Sequence, residues 1–354
     1  MNYRGVVFLA FALLCACNGG GSVASALPGP ASASVPEPGS VLYVYSPDGT
    51  PLLAKYPASA RGPVSPSAVL KGSKTTFVGG KSNLFGGGIS VAADGTRYVF
   101  DAMRAQVLTF KPAHGNVAPI AVETLPQNDG VSLQIPQYSG FALDTAGNFW
   151  TVDRSNGAID RFRLGGSGSV KPSTTFMPSV REGKKYVSGV ASTVASDGMG
   201  NLYCVCQPHE LLLQLYCITK YDVTGSSPKL ISSIYGILGN LDTQIPATVL
   251  HVDPNTKKVY VGIWKPAAVV EYPSDAKSGQ APAPQIIGGP LTTLASVPAA
   301  ITTDSKGKVY VAQGDAIAVF AANASGNVKP DRIITDPNHL HFFGYAYGDL
   351  LAIH

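Results

Sequence analysis

Two aspartates at equivalent positions of an internal repeat, Asp101 and Asp153, have the residue type and spacing to do chemistry. Each stands three residues after an aromatic residue of the repeat, so the two carboxylates belong to neighbouring units in the same register. Paired carboxylates can bind a divalent ion such as Ca²⁺ or Mg²⁺, or divide the roles of general acid and general base. The alternative, which the sequence favours, is a pair of surface aspartates that form ion pairs with the nearby Arg104 and Arg154.

Three histidines offer further chemistry. His251 occupies a position on the innermost predicted strand that other repeats fill with small residues, and its imidazole can act as a general base or a ligand. His339 and His341 would face the same side of an extended segment and together could bind a transition metal. For all three, a hydrogen-bonded structural histidine is the alternative, and the sequence favours it.

Five more aspartates recur at the predicted hairpin turns of the repeat. They are Asp94, Asp144, Asp197, Asp253 and Asp304. Oxygen-rich loops suit calcium, but each of these residues stands alone in its own unit. Asp and Gly also tolerate the positive φ that tight hairpins require, which already accounts for them. We therefore expect structural aspartates and no bound metal.

Three cysteines, Cys204, Cys206 and Cys217, fall within one repeat. Cys204 and Cys206 share a face of one predicted strand, and Cys217 lies on the next antiparallel strand. An exported protein can join two such cysteines when their Cα atoms lie within about 7 Å. We predict a disulfide between Cys206 and Cys217, which leaves one thiol over. A Cys-x-Cys metal site is the alternative.

The N-terminus carries a candidate for covalent modification. Arg4 precedes an apolar run at residues 6–14, which is too short to span a bilayer and has the layout of a secretory signal peptide. Leu14, Ala16 and Cys17 resemble the end of a bacterial lipoprotein signal, in which the cysteine is acylated. The resemblance implies that residues 1–16 are removed and that Cys17 anchors an exported protein to the cell-envelope membrane, facing the periplasm or the cell surface. An ordinary secretory signal is the alternative.

Composition limits the classes of fold and partner. The chain has 354 residues, of which 45% are hydrophobic and only 14% charged, with 39 Gly and 27 Pro. Low charge with many turn-forming residues favours an all-β fold. The net charge of +4 comes without a run of Lys or Arg, which argues against nucleic acid as a partner. Residues 17–39 comprise the candidate lipidated cysteine and a Gly, Ala, Ser and Pro-rich segment, which we interpret as a flexible tether.

The remaining residues, 40–354, repeat one pattern six times with a period of about 50 residues, the size of a four-stranded propeller blade. Each unit has an aromatic in a short β-like run and a second aromatic about 12 residues later. The first aromatics are Tyr43, Tyr98, Trp150, Tyr203, Tyr260 and Tyr310. The second aromatics are Tyr56, Phe110, Phe162, Tyr221, Tyr272 and Phe320. Small polar turns such as HGNVAP, SGSVKP and SGNVKP then lead into an outer strand.

These aromatic and turn motifs resemble the NHL-type repeats of six-bladed β-propellers in the TolB-like superfamily. The resemblance implies an all-β fold: a single six-bladed propeller of four-stranded antiparallel blades over residues 40–354. The first unit lacks an inner strand before Tyr43, and residues 342–354 have no unit after them. We therefore expect the C-terminal strand to complete the first blade and close the ring.

The resemblance also raises an enzymatic alternative, because gluconolactonase-like propellers hold a metal with Glu, Asn, Asp or His at the channel mouth. In this chain the segments that open the inner strands offer only Gln137 among such polar side chains. The enzymatic alternative is a lactonase or lyase with Ca²⁺ or Mg²⁺ at the channel mouth, using Asp101, Asp153 and His251.

The sequence favours a non-catalytic role. Short loops of Gly, Ser, Pro and Asn join the predicted strands, so a rigid disc could use its rim to bind a protein, peptide or glycan. One longer loop carries three consecutive leucines, Leu211, Leu212 and Leu213, which we expect to contribute to a contact surface. We expect a monomer whose other contact is the bilayer, through the lipid on Cys17.

Overall fold

The strands of the computed structural model form six small antiparallel sheets arranged as the blades of a propeller, which confirms the predicted all-β fold. The structure describes residues 40–47, 51–77, 84–127, 137–182, 185–208, 216–237, 249–263, 266–273, 275–342, 345–347 and 350–354. Each blade has four main strands. From innermost to outermost they are Leu351–Ile353, Val41–Ser46, Leu52–Pro57 and Ala68–Leu70 in blade 1; Leu84–Val91, Arg97–Asp101, Gln106–Phe110 and Ala121–Thr124 in blade 2; Tyr138–Leu143, Asn148–Asp153, Ala158–Arg163 and Thr174–Phe176 in blade 3; Lys185–Ser196, Asn201–Pro208, Cys217–Asp222 and Lys229–Tyr235 in blade 4; Val249–Val252, Val259–Ile263, Ala268–Tyr272 and Gln285–Gly288 in blade 5; Ala300–Thr303, Val309–Gln313, Ala316–Phe320 and Arg332–Thr335 in blade 6.

Shorter elements complete the architecture. Ser179–Glu182 pairs with the beginning of the long innermost strand of blade 4. Two 3-10 turns, Ser73–Thr75 and Pro290–Thr292, follow the outermost strands of blades 1 and 5. No helix among the described residues has the length and apolarity needed to cross a bilayer.

The repeated aromatics form the cores of the blades. All twelve first and second aromatics are buried, with at most 7% of the residue exposed. Each large ring removes apolar surface from water between adjacent sheets, which contributes several kcal/mol per residue to folding. The period of about 50 residues therefore corresponds to one blade, because each blade contributes its own pair of aromatic side chains to the packing between sheets.

The ring closes where the chain ends meet. Leu351–Ile353 pairs antiparallel with Val41–Ser46, with Leu42 opposite Ile353 and Val44 opposite Leu351. This confirms that a C-terminal strand completes blade 1. A second segment, Tyr345–Tyr347, runs parallel to the beginning of the innermost strand of blade 2, so the C-terminal region contacts two blades.

In five blades the outermost strand is bonded to the turn of the next blade around the ring. Each of these turns places a glycine against the neighbouring edge, by a parallel ladder or an isolated bridge: Gly62 on blade 6, Gly115 on blade 1, Gly168 on blade 2, Gly279 on blade 4 and Gly326 on blade 5. All five have positive φ. At the sixth seam, Arg161 of blade 3 donates to the carbonyls of Gly225 and Ser226 of blade 4. Edges that would otherwise be exposed are thus partly covered by neighbouring backbone.

Candidate functional site

An axial cavity of about 210 Å³ lies at one end of the innermost strands, and all six blades contribute to its wall. It sits at the end where the innermost strands of blades 2–6 turn into their second strands. His251 lines this cavity between Ala195 of blade 4 and Thr302 of blade 6. The other blades have small side chains at the position equivalent to His251, and these leave open the cavity that the imidazole faces.

Several neutral polar groups line the axial cavity with His251. Nε2 of His251 and Oγ1 of Thr303 share a hydrogen bond of 3.0 Å, and the imidazole stacks on Tyr260 with ring centres 6.3 Å apart. The other polar side chains of the wall include Ser90, Ser196, Asn255, Thr302 and Ser305. Hydroxyl and amide groups of this kind can hydrogen-bond a small neutral ligand.

The aspartates of the hairpin turns are committed to backbone amides. In each of the five turns the carboxylate accepts a hydrogen bond from the amide two residues later, at 2.7–3.0 Å. Asp144 also accepts from the Trp150 indole N–H at 2.9 Å, and Asp304 accepts from the Tyr310 hydroxyl at 3.2 Å. Asp197 lines the axial cavity, but its carboxylate bonds to Met199 and Asn201. These contacts give all five aspartates a structural role.

Asp101 and Asp153 lie at the opposite end of the blades from His251. Asp101 pairs with Gly87 and Asp153 with Tyr138, near the beginning of the innermost strands of blades 2 and 3, whereas His251 is near the end of its strand. The structure therefore does not bring these three candidate residues into one site.

Each of the two carboxylates organises its own hairpin. Oδ1 of Asp101 accepts from the amides of Met103 and Arg104 at 3.1 and 3.3 Å. Oδ1 of Asp153 accepts from the amide and hydroxyl of Ser155 at 2.9 and 2.7 Å. Burial raises the pKa of the Tyr45 phenol, and the negative charge of the nearby Asp101 carboxylate raises it further.

A carboxylate that the sequence analysis did not single out lies close to Asp153. Asp160, on the next strand of blade 3, is 5% exposed and accepts a hydrogen bond of 2.6 Å from the Thr175 hydroxyl. Burial raises the pKa of Asp160 to about 6, and the Asp153 charge adds to this shift. The sequence could have indicated this buried aspartate, because strand alternation puts Asp160 on the same face as Ala158 and Phe162, which are both buried.

The three cysteines of blade 4 are buried and lie on its second and third strands. Cys206 lies directly opposite Cys217, with Cα atoms 5.1 Å apart and the two sulfur atoms in disulfide contact. Cys204 is a buried thiol whose Sγ hydrogen-bonds Thr219 Oγ1 at 2.7 Å. Burial raises the pKa of Cys204 to about 12, so this thiol is a poor nucleophile.

The C-terminal histidines do not share an extended strand. Residues 337–339 form a turn in which the His339 amide donates to the Asp336 carbonyl, so strand alternation does not apply. Nδ1 of His339 contacts Asp336 Oδ2 at 2.9 Å, and the Tyr56 hydroxyl donates to the same oxygen at 3.0 Å. Asp336 thereby connects the end of blade 6 to the third strand of blade 1.

Several predicted residues lie outside the described part of the chain. Cys17 and the signal segment precede residue 40, and Leu211, Leu212 and Leu213 fall between residues 208 and 216. Within the described residues, no group of three or more His, Cys, Asp or Glu side chains is arranged to hold a metal ion.

Comparisons with known proteins found similar solved structures at low sequence identity. No protein-family model matches the chain, and no curated protein matches its sequence. A chain of a nidogen/laminin complex is 12% identical, with a TM-score of 0.53 over 89% of this chain and 98% of that one. A candidate 6-phosphogluconolactonase of Bacteroides fragilis is 13% identical, with a TM-score of 0.48 over 91% and 99%. Apo AztD of Citrobacter koseri is 14% identical, with a TM-score of 0.43 over 84% and 98%. At 12% identity, the likeness to the nidogen/laminin chain concerns the fold alone.

Proposed function

We propose that this protein is an exported, lipid-anchored propeller of the NHL type whose rim binds a protein, peptide or glycan, and that it is not an enzyme. The observation that carries the proposal is the placement of the candidate catalytic groups. Asp101 and Asp153 each bond to their own turns, at the opposite end of the blades from His251. A general base and its partner must lie within hydrogen-bond reach of one substrate.

The construction of the ring supports a binding role. Each blade seam is joined by backbone or arginine hydrogen bonds, and the chain ends meet in blade 1. A surface that is already ordered loses little conformational entropy when a partner binds. A rigid ring is therefore suited to presenting rim loops to a large partner.

Metal content distinguishes the binding scaffold from the alternative lactonase or lyase. We expect the full-length exported chain to contain no stoichiometric Ca²⁺ or Mg²⁺ and to show no change in its unfolding temperature when either ion is added. Elemental analysis and thermal denaturation measure both properties. One bound ion that is lost in Asp153→Ala, together with lactone hydrolysis lost in the same variant, would replace the proposal with the enzymatic alternative. Asp222→Ala is the matched control, because Asp222 forms a similar turn with Thr224 in blade 4.

Lipidation is tested at the two neighbouring cysteines. We expect metabolic labelling with a fatty-acid analogue to label the chain and to be lost in Cys17→Ser, because the small Ala16 precedes Cys17 as the lipoprotein signal requires. Cys15→Ser is the matched control and should keep the label. Labelling that persists in Cys17→Ser would contradict the assignment of this anchor.

The rim is tested at the leucine loop. We expect replacement of Leu211, Leu212 and Leu213 by serine to reduce the yield of crosslinked envelope partner, because exposed apolar side chains are common at contact surfaces. Leu291→Ser is the control, since Leu291 is 47% exposed at another seam. An unchanged crosslinking yield, with unchanged stability and oligomeric state, would remove this loop from the proposal.

A further inference from the structure

A groove of about 240 Å³ lies between blades 1 and 2, beside their outer strands. Leu53, Lys55 and Ala68 of blade 1 form one side, and Pro112 and His114 form the other side. The groove shares no lining residue with the axial cavity, so it is a separate site.

Arg97 brings a buried positive charge to this groove. The residue is 7% exposed, and its Nη1 and Nη2 atoms donate to the carbonyls of Ala113 and Lys111 at 2.8 and 3.1 Å. Its guanidinium carbon lies 5.7 Å from the centre of the Tyr43 ring, while Nε has no hydrogen-bond partner. Burial lowers the pKa of Arg97, which reflects the cost of keeping this cation away from water.

No carboxylate offsets the charge of Arg97 within the described residues. Ion pairs between described residues include Lys258–Glu271, Lys308–Asp331 and His339–Asp336, and Arg97 belongs to none of these three. A buried cation without an opposite charge is costly, and an anion that reaches it offsets part of that cost. The groove is thus electrostatically matched to a negatively charged ligand.

Two further basic side chains, Lys55 and His114, border the same space. Lys55 is half-buried and lies directly opposite Tyr43, and His114 is exposed on the facing turn. Neither the Lys55 ammonium nor the His114 ring has a hydrogen-bond or ion-pair partner among the described residues. Both groups are therefore available to donate to oxygen atoms of a ligand.

One acidic residue, Asp94, lies on a turn next to this groove, since Gly95 adjoins Pro112. Its carboxylate accepts hydrogen bonds from the Thr96 amide and hydroxyl at 2.8 and 3.0 Å. These bonds lower the pKa of Asp94. Asp94 does not line the groove, and the described residues that form its wall include no acidic side chain.

We propose that the groove between blades 1 and 2 binds the oxyanion of a small phosphate or carboxylate compound, with Lys55, Arg97 and His114 around the charged group. Phosphate and carboxylate oxygens accept charge-assisted hydrogen bonds from such donors. The volume is below the ~300 Å³ of sites for drug-sized ligands, which limits the occupant to a small molecule. The apolar wall of Leu53, Ala68 and Pro112 can contact the uncharged body of the ligand.

Titration calorimetry on the full-length chain tests the ligand class with glucose 6-phosphate, glucuronate and glucose as probes. We expect one equivalent of at least one anionic sugar to bind, no binding of glucose, and weaker binding as ionic strength rises. Binding of the phosphate probe alone or of the carboxylate probe alone identifies which oxyanion the groove prefers, and either result supports the site. Absence of binding by both anions, or equal binding of glucose, would overturn the proposal.

Variants locate the binding. Lys55→Gln should weaken binding of the anion about tenfold, because it removes one charge-assisted hydrogen bond of the site. His114→Asn should weaken it in the same direction, and Lys277→Gln, an exposed lysine of blade 5, is the matched control with unchanged affinity. Thermal denaturation verifies that each variant is folded. Unchanged affinity in a folded Lys55→Gln variant would place the anion elsewhere.

Discussion

The carboxylate of Asp144 organises its hairpin through bonds to three neighbours. It accepts hydrogen bonds from the amides of Ala146 and Asn148, both at 2.9 Å, and from the indole N–H of Trp150. Asp144 is 2% exposed and Trp150 is fully buried. The same aspartate therefore shapes the turn and satisfies a donor in the core of the blade.

Replacing Asp144 by alanine should lower the free energy of unfolding by about 2–4 kcal/mol, because the buried Trp150 N–H loses its acceptor. Asp94→Ala is the matched control, since Asp94 is exposed and bonds only within its turn; there we expect a loss of about 1 kcal/mol or less. Urea denaturation measures both values. Equal losses in the two variants would show that the indole bond contributes nothing.

Asp160 should make the stability depend on pH. Its pKa in the folded protein is about 6, above the ~3.9 of an unfolded chain, so the folded state binds a proton more tightly. The contribution of Asp160 to stability is thus present below about pH 4 and is lost as pH rises through about 6. Asp160→Asn stays neutral at all pH values. As pH rises from about 4 through about 6, its free energy of unfolding should therefore increase relative to the parent by roughly 1 kcal/mol, after allowance for solvent screening.

Urea denaturation of Asp160→Asn at acidic and neutral pH tests this linkage. Asp275→Asn, at an exposed aspartate of blade 5, is the matched control. A difference in unfolding free energy between Asp160→Asn and its parent that stays constant with pH would contradict the assigned shift.

Among the elements, the glycine turns that join neighbouring blades show how local geometry supports the ring. Gly168 has φ of +102° and pairs with Glu123 on the edge of blade 2. The Glu123 carboxylate in turn accepts from the amides of Gly165 and Gly166 at 2.7 and 3.0 Å. A side chain disfavours positive φ, so glycine at this turn allows the backbone to reach the neighbouring edge.

Gly168→Ala should lower the free energy of unfolding by about 1–2 kcal/mol through backbone strain alone, because a Cβ atom would meet nothing within 4 Å. Gly225 stands at the corresponding turn of blade 4 without positive φ, and there Cβ would meet one carbonyl oxygen at 3.9 Å. Gly225→Ala should therefore be neutral or slightly stabilising. Chemical denaturation of both variants checks the contrast, which similar losses would contradict.

The cysteines of blade 4 allow a test of strand register. A non-reducing peptide map of the exported chain should join Cys206 to Cys217, with Cys204 alkylated only after unfolding. Reduction should cost about 3 kcal/mol of stability, given the short loop that the bond closes. Cys204→Ala should leave the linkage in place. A linkage between Cys204 and Cys217 would contradict the pairing of the two strands.

The whole molecule depends on closure between its chain ends. Leu351–Ile353 supplies the innermost strand of blade 1, and Asp336 bonds to Tyr56 across the same junction. Leu351 and Tyr56 are both buried. Closure therefore converts a row of sheets with two open ends into a ring without them.

Removing residues 350–354 should abolish the single cooperative unfolding transition, because blade 1 loses its innermost strand and its contacts with blade 2. Deletion of residues 18–39, the predicted tether, is the control and should leave the transition unchanged. Differential scanning calorimetry distinguishes the two outcomes. A truncated chain that unfolds at the temperature of the parent would show that closure is dispensable.

The sequence determined the repeat, since aromatic residues such as Trp150 and Phe162 recur at the spacing of one blade and local turns depend on nearby residues. It also indicated that the C-terminal strand closes the ring, because the first unit lacked an inner strand before Tyr43. Only the tertiary structure decided which side chains share a site. Asp101 and His251 were candidates for one centre, yet they lie at opposite ends of the blades. The anion groove arises where Arg97 and Lys55 of different blades meet, and that proximity depends on how sheets pack, which the period of a repeat does not encode.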